Sequence, residues 1–143
     1  MRETPRSHWP HFVTLSTRWM DNDVYGHVNN VQYYAYFDTA VNQFLIERGV
    51  LDIHKGEIVG FVVDSGCSYF SPMAFPDTVH VGIRVAKLGN SSVRYEIGIY
   101  RNDDPLPCAA GHFEHVYVER SSNQAVPIPV QTRKVLETMC GSA

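Results

Sequence analysis

Cysteine is scarce in this sequence. Cys67, Cys108 and Cys140 are the only three in 143 residues. An odd number at wide spacing suits neither a disulfide framework nor a zinc site, so all three read as reduced thiols. Long hydrophobic runs are missing too. Nowhere do 18 apolar residues follow one another, and the opening Met1-Arg-Glu-Thr-Pro-Arg-Ser-His-Trp-Pro10 has no apolar core. Neither a membrane span nor a secretory leader is expected, and the expected location is cytoplasmic. Charge of one sign is also lacking. Net charge is −3, from 12 basic and 15 acidic side chains. A nucleic acid or an anionic membrane is therefore not the expected partner. Finally, no Ser-His-Asp or Cys-His catalytic set stands out.

What is present is enough apolar material for a core. Hydrophobic residues make up 44% and charged residues 19%, which excludes a disordered chain. The length fits one domain over residues 1–143, with residues 1–10 as a loose arm. The chain is organised around Arg18-Trp-Met-Asp-Asn-Asp-Val-Tyr-Gly-His-Val-Asn-Asn30 and the apolar run after it. The run Val31 to Arg48 reads as a helix of about 18 residues, roughly 27 Å at ~1.5 Å per residue. Tyr34, Phe37, Val41, Phe44, Leu45 and Arg48 form one stripe at spacings of three and four. Tyr33, Tyr36, Ala40 and Ile46 widen its apolar surface. Asn29 is a natural cap, Gln32 stands at capping-box spacing, and Gly49 ends the helix.

Elsewhere the period is two. His11 to Trp19 reads as a first strand, and Val50 to Gly56 as a connector anchored by Leu51 and Ile53. Strands follow at Glu57–Ser71, Thr78–Leu88, Val93–Arg101 and Leu106–Glu119, separated by turns rich in Pro, Gly, Asn and Asp. A short helix is expected over Val130 to Met139. One long helix against about five antiparallel strands is an α+β layout. One helix covers one sheet face only and leaves edges open, so the domain is expected to complete itself by oligomerising.

The polar turn carries the candidate chemistry. Asp21, Asp23, Asn29 and Asn30 precede a helix N-terminus, where free N–H groups point outward. Capping and turn formation alone account for such residues. Asp21-Asn-Asp23-Val-Tyr-Gly26 begins like a calcium loop, but Tyr25 and Gln32 stand where ligands are needed. His112-Phe-Glu-His115 suggests a metal, yet on a strand residues three apart face opposite ways. Asp64 is a weaker alternative carboxylate on a strand. Lys87, Arg94, Arg101, Arg133 and the Gly89-Asn-Ser-Ser92 turn could hold a phosphate, though solvated surface charge explains each cation equally well.

Asp21-x-Asp23-x-x-Gly26-His27-Val28-Asn29-Asn30, followed by a helix rich in Tyr and Phe, resembles the hotdog-fold acyl-CoA thioesterases. More narrowly it is similar to the 4-hydroxybenzoyl-CoA thioesterase group, and within it to the long-chain acyl-CoA branch. Tyr69-Phe-Ser-Pro72, Gly89-Asn-Ser-Ser92 and Pro127-Ile-Pro129 extend the resemblance over most of the chain. It implies a central helix wrapped by a curved antiparallel sheet, chains joined edge to edge as dimers or tetramers, and sites between subunits. It implies Asp23 as the catalytic carboxylate, nucleophile or general base. Backbone N–H groups of Asn30 and Val31 would stabilise the oxyanion. Asp21, Gly26, His27 and Asn29 would support them, and Tyr33, Tyr34, Ser91 and Ser92 would bind substrate. The expected substrate is an acyl-CoA, with no metal or other cofactor. Hotdog domains also include non-catalytic members, so a module that binds acyl-CoA or acyl carrier protein without turnover stays open, as does a purely structural oligomerisation domain.

Overall fold

The computed structural model describes residues 1–52 and 56–140. Five strands form one antiparallel sheet: β1 His11–Ser16, β2 Ile58–Tyr69, β3 Thr78–Leu88, β4 Ser92–Arg101 and β5 Ala109–Glu119. Their order across the sheet is β1-β3-β4-β5-β2. Helix α1, Asn30–Glu47, packs against one face of the sheet, and α2, Val130–Glu137, follows the last strand. The expected α+β layout is thus observed, with boundaries shifted by at most three residues.

Alternation positions the core. On β3, Val79, Val81, Ile83 and Val85 point at the helix, as do Val93, Tyr95, Ile97 and Ile99 on β4, and all are buried. The helix meets them with Tyr33, Tyr36, Phe37, Ala40, Val41, Phe44 and Leu45. Full burial of a side chain of this size is worth ~1.5–3 kcal/mol, so this seam holds the helix in place. The stripe differs from the expected one at its margins. Tyr34 is half-buried and Arg48 exposed, with the Arg48 guanidinium 4.8 Å from the Phe44 ring centre. Ile46 is exposed, because it lies off the face that the curved sheet covers. Leu51 packs on the core as expected, while Ile53 lies outside the described residues.

Residues 1–10 are not the expected loose arm. Trp9 is buried and lies across Gly82 and Gly98, where a Cβ would come within 2.5 Å of its ring. Its Nε1–H donates to the Tyr100 hydroxyl at 2.8 Å, which donates to the Thr4 carbonyl at 2.6 Å. Arg6 donates to the Asp104 and Asn102 carbonyls. The two glycines on facing strands make the slot that Trp9 fills.

The edges differ. β2 is 12 residues long, pairs with β5 on one side only, and carries a bulge between Val62 and Asp64. Phe61, Val62 and Val63 are 59%, 40% and 51% exposed. No helix among the described residues is long and apolar enough to cross a membrane.

Candidate active site

Asp21 and Asp23 stand two positions apart in one turn and meet different surroundings. Asp21 is completely buried. It accepts hydrogen bonds from the Arg18 N–H at 2.8 Å, the Arg18 Nε at 2.9 Å and the Tyr36 hydroxyl at 2.8 Å. Arg18 Nη2 completes an ion pair at 2.9 Å. Burial raises the Asp21 pKa, but these bonds outweigh it and hold the carboxyl below its ordinary value. Asp21 therefore anchors the turn to the helix.

Asp23 is half-buried. Its Oδ1 accepts the Tyr25 N–H at 2.9 Å. Its carbonyl accepts the Gly26 N–H at 3.0 Å, and its own N–H donates to the His27 carbonyl at 2.9 Å. Gly26 sits at φ +81°, a left-handed conformation that costs glycine little. The turn thus closes tightly around Asp23 and leaves its Oδ2 without a hydrogen-bond partner among the described residues.

The helix start leaves one donor open. Asn29 caps α1 as expected, its side-chain oxygen accepting the Val31 N–H at 3.1 Å. The Asn29 N–H is bound to the Asp21 carbonyl, the Gln32 N–H to the Asn29 carbonyl and the Val28 N–H to the Met73 carbonyl. Of the two expected donors, Val31 is consumed by the cap and Asn30 has no hydrogen-bond partner among the described residues, at the positive end of the helix dipole. Beside it lies a cleft of about 300 Å³ lined by His27, Asn30 and Tyr33 and by residues 69–72. The Tyr69 hydroxyl donates to the Asn30 carbonyl at 3.2 Å, and its ring stands edge-on to Tyr33 at 4.9 Å. Burial raises the pKa of both hydroxyls. Tyr34 does not line this cleft; it lies edge-on to Phe37.

Other candidates lie apart. Ser91 and Ser92 stand at the opposite end of the sheet, where the Ser91 carbonyl accepts the Tyr117 N–H and Ser92 pairs with Val116. In their hairpin the Gly89 N–H is bound to the Ser92 carbonyl, and Arg133 donates to the Gly89 carbonyl. Arg94 pairs with Glu114 and Asp64, and Arg101 with Asp104. Asp64 also meets His112 Nε2 at 3.0 Å on the outer face, away from the cleft.

His115 faces the other way from His112 and is 3% exposed. It lies among Tyr95, Phe113 and Tyr117 and lines a second cavity, of about 460 Å³, which Asp52 and Arg120 also border. Its Nε2 is buried with no hydrogen-bond partner among the described residues, a state that costs ~1–3 kcal/mol. Burial lowers its pKa from 6.5 to about 4. A neutral histidine in both states contributes nothing above pH 6.5. Between 6.5 and 4 the unfolded chain takes up a proton that the folded chain refuses, so stability falls as pH falls. The loss is about 3 kcal/mol by pH 4 and levels off just below that pH. Denaturant unfolding at pH 7 and pH 4.5 is expected to show this difference in the native protein and a smaller one in His115→Phe. Equal slopes would remove the assignment.

A five-stranded antiparallel sheet in this order, wrapped around one long helix whose open N-terminus meets a cleft, is a hotdog fold. The sequence model of the thioesterase-like superfamily matches residues 17–136, and the chain belongs to that superfamily. It is 55% identical to the PA5185 protein of Pseudomonas aeruginosa strain PAO1, with a TM-score of 0.95 over 97% of both chains. It is 30% identical to the PA2801 protein of Pseudomonas aeruginosa, with a TM-score of 0.84 over 90% of this chain and 98% of that one. At 15% identity, Slr0204, a 1,4-dihydroxy-2-naphthoyl-CoA thioesterase from Synechocystis, shares the fold, with a TM-score of 0.82 over 92% and 98% of the two chains.

Proposed function

We propose that the protein hydrolyses an acyl-CoA thioester to a carboxylic acid and free coenzyme A, at a site completed by a second copy of the chain. The observation that carries this reading is that the turn holding Asp23, whose Oδ2 has no partner among the described residues, leads into a helix start whose Asn30 N–H has none either; Asn30 lines the cleft and Asp23 does not. The thioester carbonyl oxygen accepts from Asn30, where the helix dipole stabilises developing negative charge. Asp23 either attacks the carbonyl carbon or takes a proton from the attacking water. The C–S bond breaks and coenzyme A leaves as thiolate, a good leaving group that needs no strong general acid. Tyr33 and Tyr69 wall the reacting group from solvent.

The second copy is argued from the surface. β2 offers an unpaired edge of roughly 40 Å, at ~3.4 Å per residue, and its apolar side chains are exposed. Val24 and Tyr25, beside Asp23, are 95% and 83% exposed. Edge-to-edge pairing of two β2 strands satisfies the backbone and buries these side chains. Introducing Val62→Lys together with Val63→Lys is expected to convert a dimer to a monomer in sedimentation and to lower specific activity at least tenfold, by placing like charges across the axis. A native protein that sediments as an active monomer would contradict a shared site.

The direct test is thiol release from short, long and aromatic acyl-CoAs. A blank without substrate is needed, because Cys140 is exposed and Cys67 half-buried. Release establishes the hydrolase and its acyl preference, including whether long chains are favoured. Binding without release across the panel would assign a non-catalytic acyl-binding module instead.

A further inference from the structure

The chemistry just described leaves the cavity beside His115 unused. It lies at the far end of α1 from Asn30, bounded by Leu45, Gly49, the start of β2 at Ile58–Gly60, and Thr132 of α2. Neither ring nitrogen of His115 has a hydrogen-bond partner among the described residues, and native chains leave few buried polar groups so. Nε2 is packed away from solvent. Nδ1 borders Gly60, where a Cβ would stand 3.0 Å from it, so the missing side chain at 60 keeps that edge of the ring uncovered. Burial holds the imidazole neutral near pH 7, so it meets a ligand as a hydrogen-bonding group and not as a cation.

Symmetry connects this cavity to the cleft. Two β2 strands paired about a two-fold axis run antiparallel, so the start of one lies against the end of the other. In such a pairing Ile58–Gly60 would face the end of the partner's β2 strand, the end at which this chain's Tyr69 hydroxyl is bonded to the helix start. That pairing would set the His115 cavity of one copy beside the cleft of the other. A hydroxyl can donate to or accept from a ring nitrogen, so it suits either tautomer of the imidazole.

Resting on the thioesterase reading, we propose that this cavity receives the acyl group of the thioester cleaved at the partner's helix start, and that His115 selects acyl groups carrying a hydroxyl which bonds its Nδ1. Lining by Leu45 and Ile58 takes the carbon skeleton of that group, and Gly60 gives the hydroxyl access to the ring.

The experiment compares kcat/KM for matched pairs: hexanoyl-CoA with 6-hydroxyhexanoyl-CoA, and benzoyl-CoA with 3-hydroxybenzoyl-CoA. The native protein is expected to prefer the hydroxylated member of at least one pair tenfold or more, the scale of one well-made hydrogen bond. His115→Phe is expected to erase that preference, chiefly through KM. Gly60→Ala, which covers Nδ1, is expected to do the same, and it decides the matter if His115→Phe does not fold. Hydrolysis of both members without preference, or a preference that survives the variant that folds, overturns the proposal and leaves the thioesterase reading standing. Absence of thiol release from every member removes the thioesterase reading, and this one with it.

Discussion

Asp23→Asn is expected to lower thioester turnover at least a hundredfold while leaving the fold unchanged. The structural reason is specific to this turn. Among the described residues the one side-chain bond Asp23 makes is as acceptor to the Tyr25 N–H, and an amide oxygen accepts that bond equally well. The turn around Gly26 is closed by backbone groups that the substitution does not touch. An amide, however, neither attacks a carbonyl nor takes a proton from water. A hundredfold loss corresponds to about 2.7 kcal/mol of transition-state stabilisation, within the range for removing one acid–base group. Steady-state thiol release and a melting curve on the same preparation check both halves. An Asn variant with native turnover would remove Asp23 from the chemistry. Single-turnover hydrolysis in isotopically labelled water then separates attack by the carboxylate from activation of water, since only the first carries a carboxylate oxygen into product.

Asp21→Ala, two residues away, is expected to do the opposite: to cost about 3 kcal/mol of stability, the upper scale for leaving a buried polar group, here the Tyr36 hydroxyl, without its partner. Three donors lose their acceptor at once, and the Tyr36 hydroxyl is left unpaired inside the core. For a chain of this length the melting temperature should fall by roughly 10 °C. Tyr36→Phe removes the buried hydroxyl, so Asp21→Ala should cost less in that background, and the shortfall measures the coupling. The lowered Asp21 pKa adds a pH signature. Its stabilisation is complete above the unfolded carboxylate pKa near 3.8 and is lost as pH falls through the folded value. That window lies below the one in which His115 acts, so the two contributions separate. Additive losses in Asp21→Ala and Tyr36→Phe would show that the pair is not coupled.

The elements that the sequence made legible are those whose pattern is local. β3 runs over Thr78–Leu88, as its alternation requires, and α1 differs from its expected span by one residue at each end, because Asn29 and Gly49 punctuate it. The turn proposed as the site was placed for the same reason, since polar residues before a capped helix mark an N-terminus. What escaped needed a partner distant in sequence. Trp9 seats itself because Gly82 and Gly98 meet on neighbouring strands. The role of Tyr36 depends on a hydroxyl reaching back to Asp21, which apolar periodicity does not encode. Val31 and Asn30 looked equivalent as donors until the cap consumed one of them. The alternation of β5 separates His112 from His115, but it does not say that Gly60 would leave one imidazole edge bare.

The docking of the first ten residues bears on where this protein can be cut. Similarity to the superfamily spans residues 17–136, and a fragment trimmed to that span is the obvious choice for expression. It would lack β1 and with it the pairing of His11–Ser16 to β3. It would also empty the slot that Trp9 fills and remove Met139, which is buried and accepts the Val85 N–H. The span matched by the superfamily model is thus smaller than the unit that folds, and boundaries chosen from that match alone would deliver an open-faced fragment prone to stick to itself.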